Sequence, residues 1–432
     1  MFMGNDETDW KQIRHVLQQL GIADRVLFSV APVEAEPLAD TSAATIDAMT
    51  APLGSPPLTA LAASAETVLI LADDLTRATP RREILLPVLD LLTGAGVSED
   101  RITVLIATGT HRAMTDAEIK DAFGPKLPSR VAIVNHNAHN PRELIRLGTT
   151  ELGTPIVVNR RVAEASLIIG VGSIIPHPEA GWGGGAKILQ PGICGEETTN
   201  HTHMLAADHD DYLGIAGNVE NPIRREMEAV ARQAGLRFII NAVFDGTGRV
   251  VGVVAGDPVV AHRHGVRMAE SIFVRRIPAQ ADIVVVDAYP ADQDYWQGLK
   301  PLALATRAVR QGGTMILLAS FPDGISPVYE AAFLDHGRKR HEEIREAVCL
   351  GAIGRTVSSV SLHLHTLVTD HARVICVSDG MREEQKAALG FKSAASVEAA
   401  LRDALDADDG TATIGLIAQG GEVLPLCDEE AT

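Results

Sequence analysis

The stretch TVLILADDLTRATP, residues 67 to 80, decides how the rest of the chain is read. Residues 68 to 72 are continuously apolar, with β-branched Val68 and Ile70 among them. A continuous run suits a strand buried on both faces, whereas a strand with one wet face would alternate. The run then breaks into Asp73, Asp74, Thr76 and Arg77. In open α/β sheets, ligands bind at the C-terminal ends of the strands. This stretch therefore reads as a buried parallel strand that ends in a polar, ligand-facing loop.

The same pattern recurs on either side. Apolar runs at 25–30, 102–109, 131–136, 166–174, 238–244 and 249–256 are strand candidates. Helical patterns lie between several of them. PRREILLPVLDLLTGAG has Pro at its start and Gly at its end, and NPIRREMEAVARQAG has an Asn cap, a first-turn Pro and a closing Gly. The pattern restarts after residue 275: QADIVVVDAYP reads as a strand, LKPLALATRAVRQGG as a helix, TMILLAS and ARVICVSDG as further strands. The expected fold is α/β, with two α/β domains of mainly parallel sheets and the active site in the interdomain cleft. The expected domains are 1–275, joined by a C-terminal hairpin at 411–432 around Gly420–Gly421, and a smaller one at 276–410.

Composition narrows the function. The 432 residues carry a net charge of −18, which argues against nucleic acid or an anionic membrane surface as partner. Four scattered cysteines form no CxxC pair, so neither a disulfide framework nor a structural zinc site is indicated. No apolar run reaches the ~18 residues of a membrane span, and the polar, acidic N-terminus does not resemble a signal peptide. The expectation is a cytoplasmic protein with a small-molecule partner.

Three more strand ends carry polar clusters. ITVLIATGTHR supplies Thr108, Thr110, His111 and Arg112; SLIIGVGSIIPHPEAGWGGGAK supplies Ser173, His177, Glu179 and Lys187; and YWQGLK supplies Tyr295, Trp296, Gln297 and Lys300. Taken singly, each residue is more readily a cap, a surface partner or a hydrogen-bonded loop residue. Four clusters at one edge favour a functional cleft. Within GWGGGAKILQPGIC, residues 181 to 194, Lys187 is not followed by Ser or Thr, so this is not a P-loop. GVGSII lacks the third glycine of a dinucleotide fingerprint. The remaining use for Gly183, Gly184 and Gly185 is close approach to a bulky ligand, with free N–H groups facing it and Lys187 alongside. A lysine against apolar neighbours can lose its proton below the free value of about 10.4 and act as a nucleophile. His201 and His203 are two apart, so on a helix only one of them can face a metal.

Together DDLTRATP, ATGTHR, the run from HPEAGWGGGAKILQPG to HTH, NPIRREME and WQGLK resemble the nickel-pincer lactate racemase family, most specifically over residues 70 to 310. The resemblance implies a racemase or epimerase of a 2-hydroxy acid, an isomerase. Its cofactor would be a nickel-bearing pyridinium mononucleotide, supplied by cofactor-biosynthesis proteins and possible to join covalently to a lysine. It implies that Lys187 is the attachment lysine, that His203 is the nickel ligand, and that His111 and His177 are an acid–base pair. Arg77, Gln297, Lys300 and Trp296 would bind substrate. Asp74, Thr110 and the three glycines would line the cofactor. Hydride transfer suits a 2-hydroxy acid, whose α-proton is very weakly acidic beside a carboxylate. Two histidines can then serve as bases for the two enantiomers.

The chain departs from the family pattern in two places: Trp296 stands where the lactate enzyme has a tyrosine, and no tryptophan follows it. The region 375–385, with Ser378, Asp379, Met381 and Arg382, and the segment FPDGISP (321–327) are then candidate pocket walls, and Arg382 is a candidate partner for a second carboxylate. These departures point to a larger or more polar acid than lactate. Two other readings remain. One is a Schiff-base lyase or dehydratase centred on Lys187; the other is a non-catalytic relative that binds an anionic metabolite.

Overall fold

The computed structural model describes residues 7–407 and 410–428. It contains two six-stranded sheets. The first runs, in spatial order, Val250–Gly256, Leu236–Phe244, Leu167–Ser173, Val68–Asp73, Ile102–Ala107, Ala132–Asn135. All its pairings are parallel except that of Val250–Gly256. Every residue of Val68–Asp73 and of Leu167–Ser173 is buried, as their unbroken apolar runs require.

The order of these strands locates the site. From Val68–Asp73 the chain moves outward to Ile102–Ala107 and Ala132–Asn135. It then returns to place Leu167–Ser173 on the other side of Val68–Asp73. Connections leaving in opposite directions open a crevice at the strand ends. Asp73, Asp74 and Ser173 stand at that crevice.

The second sheet runs Val26–Val30, Ile414–Ile417, Ala281–Asp287, Val309–Leu318, Arg373–Val377, Lys392–Ser393, all parallel. Here the expected organisation is corrected. Val26–Val30 joins this sheet rather than the first, and the tail is not a hairpin. Ile414–Ile417 lies between Val26–Val30 and Ala281–Asp287, whereas Leu424–Cys427 pairs in parallel with Val274–Ile277. The reason is burial: all four residues of Ile414–Ile417 are enclosed, which a central parallel strand provides and a surface hairpin does not. The last residues of the expected hairpin, 429–432, lie outside the described residues.

The helix expected over 299–313 is also displaced. It spans Tyr295–Ala305 because Asp294 caps it, accepting a hydrogen bond from the Gln297 N–H at 2.8 Å. The RQGG that follows is drawn into the long strand Val309–Leu318. No helix among the described residues is long and apolar enough to cross a membrane.

Candidate active site between the two sheets

The polar strand ends converge on one cavity of about 130 Å³. From the first sheet it is lined by Asp74, Arg77, Thr110, His111, His177, Gly183, Gly184, Lys187 and, on the helix Glu196–Ala207, His203. The helix Tyr295–Ala305 adds Trp296, Gln297 and Lys300 from the other side. Of the residues that the resemblance assigns to the site, Gly185 alone is not in this lining; it packs against His262.

Each histidine is oriented by its partners. His111 Nδ1 lies 2.7 Å from Asp74 Oδ2. Burial would raise the Asp74 carboxyl, but the His111 charge and hydrogen bond, with Thr76 and Arg77, hold it well below the usual carboxylate range. An ionised carboxylate only accepts, so His111 keeps its proton on Nδ1, and in the neutral ring the lone pair falls on Nε2. Trp296 from the facing helix meets the ring edge-on at 5.3 Å between centroids.

His177 is set the opposite way. Its Nδ1 accepts from the N–H groups of Glu179 (3.2 Å) and Ala180 (3.3 Å), which leaves the proton on Nε2. Burial, then the charges of Lys187, Lys300 and Arg77, push its pKa well down. The two imidazoles are therefore unequal: one presents a lone pair and the other an N–H.

His203 donates Nδ1–H to the Thr199 carbonyl one helical turn back, at 2.8 Å, which leaves its Nε2 lone pair for a metal or an acid. Glu179 Oε2 lies 3.6 Å from that nitrogen, while its Oε1 accepts from Tyr212 at 3.0 Å. His201, on another face of the helix, bonds Thr154 Oγ1 at 2.9 Å, so the spacing argument holds in that only His203 reaches the cavity.

Burial lowers Lys187 to about 7, with Arg77 pushing the same way and Glu179 opposing. Lys300 is also pushed well below its ordinary value by burial and by the Arg77 and Lys187 charges; its Nζ donates to Gln297 Oε1.

The glycine loop departs from expectation. The Gly183 N–H donates to Ile175 O (2.7 Å) and the Gly185 N–H to Asn241 Oδ1 (2.9 Å), so neither is a free donor facing a ligand. These glycines instead let the loop sit tightly on the strand ends. At Gly184 φ is +73°, and a Cβ would lie 2.8 Å from Ile174, 2.9 Å from Asn241 and 3.0 Å from Ser173.

What grips this loop went unassigned in the sequence. Arg224 is fully buried and donates to the carbonyls of Ala180 (3.2 Å), Gly184 (3.1 Å) and Trp182. His262 Nε2 bonds Gly183 O at 2.9 Å. Arg224 lies in the NPIRREME stretch that carried part of the resemblance, so the signal was present without a role attached. Arg224→Met leaves three carbonyls short of a donor. It is expected to lower unfolding free energy by at least about 2 kcal/mol, measured by urea denaturation of the apoprotein.

The other candidate walls divide. Asp323, Ser326 and Pro327 of FPDGISP line a larger outer chamber that opens from the cavity. None of Ser378, Asp379, Met381 or Arg382 lines either space; Arg382 is exposed and pairs with Glu330 at 3.2 Å. Arg382 is therefore no partner for a substrate carboxylate.

With this geometry in place, comparison with known proteins gives a family. A profile of the lactate racemase N-terminal domain matches residues 15–214, and one of the lactate racemase C-terminal domain matches residues 275–424. The chain belongs to the lactate racemase family. It is 32% identical over 274 residues to the lactate racemase of Thermoanaerobacterium thermosaccharolyticum, and 31% identical over 274 residues to that of Lactiplantibacillus plantarum. Each match covers 63% of this chain and 64% of the relative, so the chain spans just under two thirds of the length of these curated relatives. The structure of the Thermoanaerobacterium lactate racemase apoprotein superposes with a TM-score of 0.84 at 26% identity, over 93% of this chain and 95% of that one. A protein from Thermotoga maritima shares the fold, with a TM-score of 0.71 at 20% identity over 92% and 100% of the two chains. The lactate racemase family assignment agrees with the mixed α/β architecture of two mainly parallel sheets.

Proposed function

We propose that this protein is a nickel-dependent racemase or epimerase of a 2-hydroxy acid. The observation that carries the reading is one cavity holding two oppositely set histidines, a lysine lowered to about 7 and a third histidine with a lone pair directed at it.

The residues present fit a nickel-bearing pyridinium mononucleotide. Among the described residues no group of three or more His, Cys, Asp or Glu side chains could hold a metal unaided. His203 alone thus suits a metal whose other donors arrive with the cofactor. Ser173 Oγ is buried in the cavity wall without a hydrogen-bond partner among the described residues, a position that a polar cofactor group would satisfy. Lys187, lowered to about 7 chiefly by burial, is a nucleophile suited to covalent attachment. When bound, the cofactor supplies a reversible acceptor for the α-hydride.

The protein's own side chains do the rest. Arg77 and Lys300 hold the substrate carboxylate, Arg77 through a directional fork. His111 takes the hydroxyl proton on Nε2, and Asp74 stabilises the imidazolium that forms. His177 presents its Nε2–H to the same oxygen. To serve as a base for the opposite enantiomer it takes the other tautomer, its proton moved from Nε2 to Nδ1 and the two backbone contacts on Nδ1 given up. Walls from both sheets limit water around the reacting carbon.

The test is chiral chromatography of single enantiomers of 2-hydroxy acids incubated with protein made alongside the cofactor-biosynthesis proteins. Interconversion that requires nickel is expected. A 2-keto or dehydrated product, with borohydride trapping on Lys187 and no nickel requirement, would favour the Schiff-base reading instead.

A further inference from the structure

We propose that this site is built for a 2-hydroxy acid whose tail carries hydroxyl groups, and that Glu422 is the residue that reads that tail. The inference rests on the racemase reading above.

The inner cavity opens into an outer chamber of about 570 Å³, and Arg77, His111, His177 and Lys300 line both. An acid held by its carboxylate between Arg77 and Lys300 extends its tail into this chamber. Six carboxylates line the chamber against three cations, Arg77, Arg112 and Lys300. Most of the carboxylates are committed. Asp74 holds His111, Glu118 pairs with Arg112, Asp292 accepts from Ser320, Asp294 caps its helix, and Asp323 accepts from Gln293 at 2.7 Å. The Glu422 carboxylate makes no hydrogen bond among the described residues.

The backbone delivers Glu422 to this place. After Ile414–Ile417 the chain turns, with Gln419 at φ +51°. The Gly420 N–H donates to Asp287 O at 2.8 Å and the Gly421 N–H to Tyr289 O at 3.3 Å. A Cβ on Gly420 would lie 2.4 Å from Val286 and 2.7 Å from the Asp287 carbonyl, so the turn lies directly on the strand end. This is the work of the Gly-Gly pair that the sequence suggested for a hairpin.

The chemistry of the tail follows from the lining. A second carboxylate would enter a chamber with an excess of negative groups. An alkyl tail would cover Glu422 without giving it a partner. A tail ammonium at Glu422 would stand against Arg77, whose charge already acts on that carboxyl. Hydroxyls donate to a carboxylate, and burial, opposed by Arg77, holds Glu422 at about 7, so near neutrality it accepts or donates.

The experiment compares threonate, malate and lactate with the cofactor-loaded full chain. The expected kcat/KM for threonate exceeds that for malate at least about tenfold, and Glu422→Gln lowers the threonate-to-lactate ratio about tenfold, as for loss of a charge-assisted hydrogen bond. Malate turned over as well as threonate, or an unchanged ratio in Glu422→Gln, would overturn the proposal. Should none of the acids be turned over, the racemase reading fails on its own. Calorimetry on the same protein then decides the tail: threonate binding about tenfold tighter than malate upholds it, and equal or reversed affinities overturn it.

Discussion

His111→Ala and His177→Ala are each expected to lower kcat by about a thousandfold, in the range for loss of a positioned acid or base, while cofactor stays bound. The two losses come from different starting states. His111 is held by Asp74 with a lone pair on Nε2; His177 is held by two backbone N–H groups with its proton on Nε2. Removing either should stop interconversion, because the proton taken from one enantiomer must be replaced on the opposite side. Chiral chromatography with either enantiomer as starting material measures the rate, and nickel content confirms loading. Asp74→Asn should reproduce much of the His111 loss, since an amide does not stabilise the imidazolium. Wild-type rates in either alanine variant would remove the acid–base assignment.

Lys187→Ala is expected to abolish any cofactor mass that survives denaturation. The lysine sits in the cavity wall, and burial with Arg77 beside it lowers it to about 7. The neutral amine is the nucleophilic form, and for a base whose pKa is lowered that form gains as pH rises through 7. Labelling of the apoprotein by an amine-directed reagent, mapped to Lys187 by peptide mass, should therefore have its midpoint near 7 rather than near the free-lysine value of about 10.4. A midpoint above 9 would mean that the side chain is solvated. An adduct of unchanged mass in Lys187→Ala would place the attachment elsewhere.

The legible parts of this protein are those set by local chemistry. The run ending at Asp73–Asp74 shows a buried strand and its ligand edge by pattern alone, because continuous apolar residues fit only a strand covered on both faces. The histidine spacing allowed at most one of His201 and His203 to face a metal, because helix geometry sends residues two apart to different faces. Other features depended on long-range partners that no local pattern encodes. Ile414–Ile417 belongs to a sheet begun nearly four hundred residues earlier, at Val26–Val30. Arg224 reads as one more charge on an amphipathic helix, yet it is buried against the loop carrying Lys187. The glycine loop was recognised as special for the wrong reason: its N–H groups are largely spent inward, and its glycines serve close packing. Arg382 is held by Glu330, an ion-pair partner 52 residues away that no local pattern shows.

Racemisation by hydride transfer leaves its mark on a 2-deuterated substrate. One enantiomer of a 2-deuterated 2-hydroxy acid is converted in ordinary water by the nickel-loaded protein, and the product of opposite hand is examined by mass. Retention of deuterium is predicted, because hydride returns to the same carbon without exchanging with solvent. Loss of the label to water, or conversion that proceeds equally well without nickel, would rule out hydride transfer and point to proton abstraction.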